Sequence, residues 1–290
     1  MITFGTVIVN GLLLSAIYVL LALGLALIYG IVKILSFVHG ELLLWGAYAT
    51  IVLTETFHLH FLLALPLAAA FSALLAVILE RVAFRFTLDR PNTAIAISIG
   101  LIAISQTFAN VIFTGTPRTA LNPFPGSLVI GQVAMPYQRL DAVMATAVLL
   151  GVLGWILYGT GVGRALRAMN QNLLAAELMG IDRRQLVILT FAISGFLAGV
   201  AGAFWATLFA VTPFAGFDPL FKAFVITVIG GLGSLRGAVV GALVLGLAES
   251  ISTQVFGGSW VDLASFLLMA AILILRPHGI FGRATAGLRH

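Results

Sequence analysis

The chain has 290 residues, of which 61% are hydrophobic and 9% are charged, and its formal net charge is +5. Soluble domains carry about 25% charged residues, so this composition excludes a water-soluble protein. Cysteine is absent, which excludes disulfides and thiolate metal sites. The basic residues lie between apolar stretches, so membrane topology explains the positive charge better than nucleic-acid binding does. The first ten residues are uncharged and lack the basic start of a secretory signal, which predicts that the first apolar stretch is retained.

Eight stretches are predicted to be membrane-spanning helices, each of which needs roughly 20 apolar residues. Their approximate bounds are 6–30, 41–57, 61–79, 94–113, 142–158, 186–211, 237–255 and 261–275. The sequence therefore predicts a single all-α polytopic membrane domain over residues 1–290, with about 8–9 transmembrane helices.

A ninth segment, near 221–237, is apolar but short, and four glycines are predicted to break its helix. In lipid, a broken helix is tolerated only where protein or a water-lined cavity covers its backbone. We therefore expect this segment to be buried in the bundle or to line a pathway. It does not fit a nucleotide-binding loop, because no Lys-Ser/Thr pair follows the glycines. The four glycines are Gly230, Gly231, Gly233 and Gly237.

The positions of Lys and Arg predict the orientation in the membrane. With the 81–90 and 160–185 loops in the cytoplasm, and the broken segment counted as a crossing, twelve of the fifteen Lys and Arg residues lie inside. Arg118, Arg139 and Lys222 lie outside. This positive-inside pattern predicts an external N-terminus, a cytoplasmic C-terminus and an external 114–140 loop. A re-entrant segment would put the basic C-terminal residues outside, so we prefer a crossing.

Few ionisable residues lie inside the predicted spans, and no catalytic or metal-binding pattern is present. No metal or cofactor is therefore predicted. Glu249 is the main intramembrane charge; it could be an ion site or a carboxylate hydrogen-bonded to a neighbour near the outer helix end. Three acidic residues at helix ends, Glu41, Glu55 and Glu80, are expected to reach the membrane interface.

Three further polar residues, Asn10, Asn110 and His39, are candidates with Glu249 for lining a pathway. For Asn10 and Asn110, interhelical hydrogen bonding is an equally good explanation. For His39, a gate and a helix cap are the two alternatives, and we prefer the cap.

The polar loop at 160–185 is predicted to be an amphipathic helix with a basic start at Arg164 and Arg167. Its apolar residues recur at three- and four-residue spacing, and Gly180 lies where a helix C-cap is expected. Such a helix docks into a groove on a partner protein or lies on lipid headgroups. Its apolar residues are Leu166, Met169, Leu173, Leu174 and Leu178, of which Leu166, Leu173 and Leu178 are the expected docking anchors.

Within this loop, the residues GRALRAMNQNLLAAELMGID resemble the coupling-helix motif of ABC-transporter permeases. The matching residues are Ala175, Ala176, Glu177, Gly180 and Ile181. Four further blocks, at 22–50, 189–206, 222–250 and 276–282, resemble permeases of branched-chain amino-acid uptake systems. The His-Gly-Glu block at 39–41 is typical of the H-type permease, although Ser36 and Val38 differ from the family's usual Asn and Ala.

The resemblance implies a permease subunit of an ATP-driven importer in the bacterial cytoplasmic (inner) membrane. It would form the translocation path for branched-chain amino acids or a related small solute such as another amino acid, urea or an amide. The implied partners are a second, unlike permease, two cytoplasmic ATP-binding subunits and a periplasmic or lipid-anchored solute-binding protein. ATP hydrolysis would occur on the partner, which the 164–181 residues would contact.

Two other classes remain as alternatives. An ion-coupled secondary carrier would need Glu249 as its ion site. An intramembrane enzyme would need a nucleophile and a base at one site, and the sequence marks no such pair.

Overall fold

The computed structural model describes residues 4–88, 90–121, 126–130 and 133–282. The described residues form a helical bundle, which confirms the predicted all-α polytopic fold. The 114–140 loop also contains a short antiparallel hairpin that was not predicted, made of β1 (Ser127–Ile130) and β2 (Val133–Pro136). The helices are α1 (Phe4–Val32), α2 (His39–Glu55), α3 (Phe61–Val82), α4 (Pro91–Phe113), α5 (Tyr137–Gly159), α6 (Gly161–Gln171), α7 (Leu173–Leu178), α8 (Arg183–Leu208), α9 (Phe217–Gly230), α10 (Leu235–Val255) and α11 (Val261–Leu275).

Seven of the described helices are long and apolar enough to cross a bilayer: α1, α3, α4, α5, α8, α10 and α11. Two others are shorter, since α2 has 17 residues and α9 has 14. These two correspond to the predicted short second span and to the glycine-broken segment. The bundle therefore agrees with the predicted eight or nine membrane-crossing segments.

Helices α1 and α8 form the centre of the bundle. In their most apolar 18-residue windows, 89% of α1 and 72% of α8 are buried. Small residues allow the neighbouring backbones to approach: Gly46 of α2 packs on Gly199 of α8, and Gly246 of α10 packs on Ser15 of α1. In a membrane, such close approach is a main source of helix association, because lipid is as apolar as the side chains themselves.

Helices α2 and α9 both begin inside the bundle rather than at its ends. His39, the first residue of α2, contacts the carbonyl of Leu21, which lies about 16 Å along α1 from the end at Val32. The irregular segment 33–38 leads to this point, with Ile34, Ser36 and Val38 buried. On the other side, Gly216 precedes α9 and packs directly against Gly40. The first turns of the two short helices therefore meet at one level inside the bundle.

The start of α1 and the residues after α11 lie at opposite ends of the bundle. At one end, Ser250 donates a hydrogen bond to the carbonyl of Val7. At the other end, Gly233 packs on Gly30. The segment 276–282, here called the strap, reaches this second end, where the amides of Ile280 and Phe281 donate to the last carbonyls of α9.

Candidate functional site

His39 lies in a polar layer at the middle of the bundle. The residue is fully buried, and its Nε2 lies 3.0 Å from the Leu21 carbonyl oxygen while Nδ1 lies 3.3 Å from Ser194 Oγ. Since a carbonyl only accepts, Nε2 carries the proton and Nδ1 accepts from the serine hydroxyl. The predicted capping role is wrong, because Val38 is the N-cap residue and no side chain caps this helix. His39 instead joins α1, α2 and α8.

On the other face of α1, Glu249 and Lys222 form a buried ion pair. Lys222 Nζ lies 3.3 Å from Glu249 Oε1, the Tyr18 hydroxyl donates to Oε2 at 2.7 Å, and Ser265 donates to Oε1 at 3.0 Å. The hydrogen-bonded interpretation of Glu249 is therefore confirmed. The predicted external position of Lys222 is wrong, since it lies within α9 and is buried. A paired charge costs far less to bury than an isolated one, and here both carboxylate oxygens already have donors.

Glu41 forms the third part of the polar layer, between α2 and α4. Ser105 Oγ donates to its Oε2 at 2.6 Å, and Gln106 Nε2 donates to its Oε1 at 3.1 Å. Trp45 in turn donates its indole N–H to Ser105 Oγ at 2.9 Å. Glu41 is buried, so the expectation that it reaches the interface is wrong. Its hydrogen bonds explain how the charge is tolerated and how α4 is held to α2.

The other acidic and amide candidates lie outside this layer. Glu80 is also buried, contrary to prediction, and among the described residues neither of its carboxylate oxygens has a hydrogen-bond partner. Glu55 is exposed, as expected. Asn10 accepts a hydrogen bond of 3.0 Å from Arg139 near the start of α1, and Asn110 is exposed on α4. Of the four pathway candidates, only His39 and Glu249 therefore lie in the polar layer.

The 160–185 segment folds as two helices rather than the single helix predicted. The first, α6, begins after Thr160, whose side chain caps Gly163, and it ends at Gln171. Asn172 then takes an extended conformation, and its side chain accepts from the amide of Ala175 at 3.1 Å to start α7. An asparagine is a strong N-cap, because its short side chain satisfies an amide that the helix leaves free.

Helix α7 ends in a Schellman motif at the predicted C-cap position. The amide of Gly180 donates to the carbonyl of Glu177, and the amide of Ile181 donates to the carbonyl of Ala176. Gly180 has a φ of +83°, a conformation that favours glycine. The conformation of the motif residues is thus fixed by local hydrogen bonds, with Glu177 exposed and Ala176 buried.

The two helices present different faces. In α6, Leu166 and Met169 are buried against the bundle, so the prediction of Leu166 as a docking anchor is wrong. Leu173, the first residue of α7, is partly buried, and its docking role stays a prediction. Arg164 is exposed, whereas the Arg167 guanidinium lies 5.1 Å from the ring centroid of Tyr158. The apolar face open to a partner belongs to α7 and its end, and it consists of Leu174, Leu178 and Met179, which are 67%, 80% and 83% exposed.

The predicted glycine break is present but shorter than expected. It comprises residues 231–234, since α9 ends at Gly230 and α10 starts after Ser234, whose hydroxyl caps Gly237. Gly230 and Gly237 lie inside the helices, where their backbones are in contact. A side chain at either position would collide with the opposite helix, so these glycines set the spacing of α9 and α10 rather than break a helix.

Comparisons with known proteins agree with the sequence resemblance. A sequence model of the branched-chain amino acid transport system permease component matches residues 7–275. The chain is 32% identical to the permease protein BraD of Pseudomonas aeruginosa, over 95% of this chain and 94% of BraD. It is 31% identical to LivH of Escherichia coli K12, over 94% of each chain, and 26% identical to LivM of that organism, over 97% of this chain and 71% of LivM. All three relatives are named as permease proteins of high-affinity branched-chain amino acid transport systems. The chain belongs to the family of permease components of branched-chain amino acid transport systems.

Proposed function

We propose that this chain is the membrane-spanning permease subunit of an ATP-driven importer and that it carries branched-chain amino acids or a related small solute. Family membership supports the class of protein. The polar layer argues against ion coupling, because Glu249 is already bonded to Lys222, Tyr18 and Ser265. An ion-coupled carrier would need a carboxylate that is free to bind and release its ion.

The exposed apolar face of α7 is the observation that supports coupling to a separate ATPase. Leu174, Leu178 and Met179 are held on a helix that is capped at both ends, and they point away from the bundle. An apolar helix face of this kind fits a groove on a partner protein. A movement of α7 would reach the bundle through α6, where Asn170 lies beside Gly30 and the Gly233 turn.

The partners follow from this mechanism. Two cytoplasmic ATP-binding subunits would dock on α7 and its counterpart in a second, unlike permease. A periplasmic or lipid-anchored binding protein would deliver the solute at the opposite end of the bundle. The N-terminus would be external and the C-terminus cytoplasmic in the bacterial inner membrane, which puts α7 and the strap on the ATPase side.

The meeting of α2 and α9 supports a translocation path through the middle of the bundle. In many transporters, short helices that begin at mid-membrane direct their N-termini towards the solute, because the free amides and the helix dipole attract negative charge. Here the first turns of both helices meet at Gly40 and Gly216, between the His39 and Lys222 clusters. ATP binding would change access to this level by favouring one arrangement of the permeases over another.

The coupling proposal is tested by replacing Leu178 and Met179 with serine together. Loss of two side chains that docking would bury should weaken docking by about 3 kcal/mol, roughly a hundredfold in affinity. We expect the ATPase to be lost on purification and ATP-driven leucine uptake to fall at least about tenfold, with normal membrane insertion. The matched control is Gln171→Ser, an exposed polar position on the same segment.

Retained ATPase binding and uptake in the double variant would show that α7 is not the docking helix. Loss of binding to anionic vesicles, with ATPase binding intact, would instead assign α7 to the lipid surface. Uptake that persists without ATP but collapses with ionophores would support an ion-coupled carrier.

A further inference from the structure

The interface between α2 and α4 contains an aromatic strip that leads from the polar layer to the outer end of the bundle. Glu41, Trp45 and Tyr48 follow one another on α2 at spacings of four and three residues, so they share one helix face. The Trp45 ring centroid lies 6.4 Å from that of Phe108 and 6.5 Å from that of Phe113. Tyr48 stacks on Phe113 with centroids 3.9 Å apart. Side chains rather than close backbones thus join these two helices.

Arg118 lies at the outer end of this strip. Its guanidinium carbon is 5.7 Å from the centroid of the Phe113 ring, which is the ring stacked on Tyr48. The backbone of Arg118 pairs with that of Val211, through hydrogen bonds of 3.0 and 2.7 Å, which fixes its position beside the end of α8. Within the described part of the chain, no carboxylate lies within salt-bridge distance of this guanidinium.

Two buried hydrogen-bond donors in the same region have no partner among the described residues. They are the hydroxyl of Tyr48, which is 1% exposed, and the indole N–H of Trp205, which is 6% exposed. Trp205 precedes Ala206, whose carbonyl accepts from the amide of Ala120, two residues after Arg118. Buried polar groups are almost always hydrogen-bonded, and leaving one unpaired costs about 1–3 kcal/mol. These two unpaired donors belong to the helices that flank a half-buried cation, since Tyr48 stacks on the ring that Arg118 contacts and Trp205 precedes the residue bonded to Ala120. They therefore point to an acceptor from outside the chain.

We propose that Tyr48, Trp205 and Arg118 form an outer recognition site for the carboxylate of the amino-acid solute, an inference that rests on the proposed function. An indole and a guanidinium only donate hydrogen bonds, and a tyrosine hydroxyl can donate, so an anionic acceptor suits all three. The rings of Trp45, Phe108 and Phe113 offer apolar contact for a branched side chain.

Glu41 would determine how the solute is oriented in this site. It lies seven residues before Tyr48 on α2, about 10 Å deeper in the bundle. Its negative charge attracts the ammonium end of a zwitterionic solute, whereas the three outer donors hold the carboxylate end. The strip therefore orients the solute with its ammonium group towards the polar layer.

The test uses Tyr48→Phe in the complete complex of permeases, ATPases and binding protein, reconstituted in proteoliposomes. Removing one hydrogen bond to a charged group should lower kcat/KM for leucine uptake about tenfold. The Tm of the solute-free complex should not fall, because the hydroxyl bonds no protein group. The matched control is Tyr137→Phe, an exposed tyrosine at the start of α5, which should transport normally.

Arg118→Gln should reduce leucine uptake further than Tyr48→Phe, and Arg118→Lys should restore part of it, because a lysine keeps the charge but not the forked donors. Normal uptake by Tyr48→Phe and Arg118→Gln would overturn the proposal. A lower Tm in Tyr48→Phe, with uptake falling only in proportion to the folded complex, would also overturn it, since the hydroxyl would then be structural. Absence of ATP-driven leucine uptake in the unaltered complex would refute the proposed function itself, whatever Tyr48 does.

Discussion

Helices α8 and α4 have similar lengths and are both apolar, yet they occupy opposite environments. In the most apolar windows, 72% of α8 is buried but only 11% of α4. The difference lies in their small residues. Gly199 and Gly202 of α8 contact the backbones of α3 and α2, whereas nothing lies within 4 Å of a side chain placed at Gly100 of α4. Hydropathy shows that a helix enters the membrane, and close backbone contacts decide where it packs.

The two helices are also held by different forces. Packing fixes α8 along most of its length, whereas α4 is held at its second half by Glu41, Ser105, Gln106 and the aromatic strip. A helix tied at a few side chains can shift without opening a packed core. The recognition site proposed at the interface of α2 and α4 needs this freedom, and the rigid α8 supplies the surface against which α2 is placed.

The largest expected effect is at Gly202 of α8. A valine there would push against the backbone carbonyl of Leu43 and the amide of Ala47, so α2 would have to separate from α8. We expect a destabilisation of about 3 kcal/mol or more and little folded protein in the membrane. Thermal unfolding and folded yield in mild detergent measure this. The matched control, Gly100→Val on α4, should change stability by no more than about 0.5 kcal/mol. Equal yields of the two variants would show that the contrast between the helices is not one of packing.

An intermediate effect is expected when α4 loses its hydrogen bonds to Glu41. Replacing Ser105 and Gln106 by alanine leaves the Glu41 carboxylate buried without donors. The unfolding free energy should fall by about 2 kcal/mol, since hydrogen bonds to charged groups contribute about 1.5–3 kcal/mol each and α4 can partly yield. Adding Glu41→Gln should recover part of the loss, because it removes the buried charge. If Glu41→Gln brings no recovery of the unfolding free energy, the loss comes from packing. The hydrogen bonds of Ser105 and Gln106 to Glu41 would then not be what holds α4.

The smallest effect is expected on the outer surface of α4. Ile104 is 65% exposed, and Ile104→Ala should change the unfolding free energy by no more than about 0.5 kcal/mol. Leu197→Ala on α8, where the side chain is 3% exposed, should cost about 2 kcal/mol by leaving a cavity. Denaturant titration of both variants compares them directly. A loss at Ile104 as large as that at Leu197 would mean that α4 is packed as tightly as α8.

The membrane spans could be predicted because their signal is local. A run of apolar residues such as 186–211 can be recognised without knowing its neighbours, and α8 indeed occupies most of that run. The C-cap at Gly180 was predictable for the same reason. The division of the 160–185 segment was also visible in principle, since Asn172 directly precedes an apolar turn and is a strong N-cap.

The polar layer could not be predicted in the same way, because its contacts join distant residues. Tyr18 and Glu249 are separated by 231 positions, and His39 and Ser194 by 155. Local spacing gives no information about such pairs. Lys222 did offer a signal, as a single charge in an apolar stretch, but the positive-inside count assigned it to a loop. Its partner on α10 became evident only when α9 was placed beside α10.

The strap at 276–282 has a consequence for biosynthesis. The amides of Ile280 and Phe281 satisfy the carbonyls of Ile229 and Gly230, at the end of α9. The strap follows α11 in the chain, so it leaves the ribosome after α9 and α10 have been made. Until then, these carbonyls lack the partners that they have in the folded chain. Synthesis of the strap is therefore the step that lets this end of the bundle close, and a premature stop before the strap would leave inserted helices without these contacts, for membrane proteases to remove.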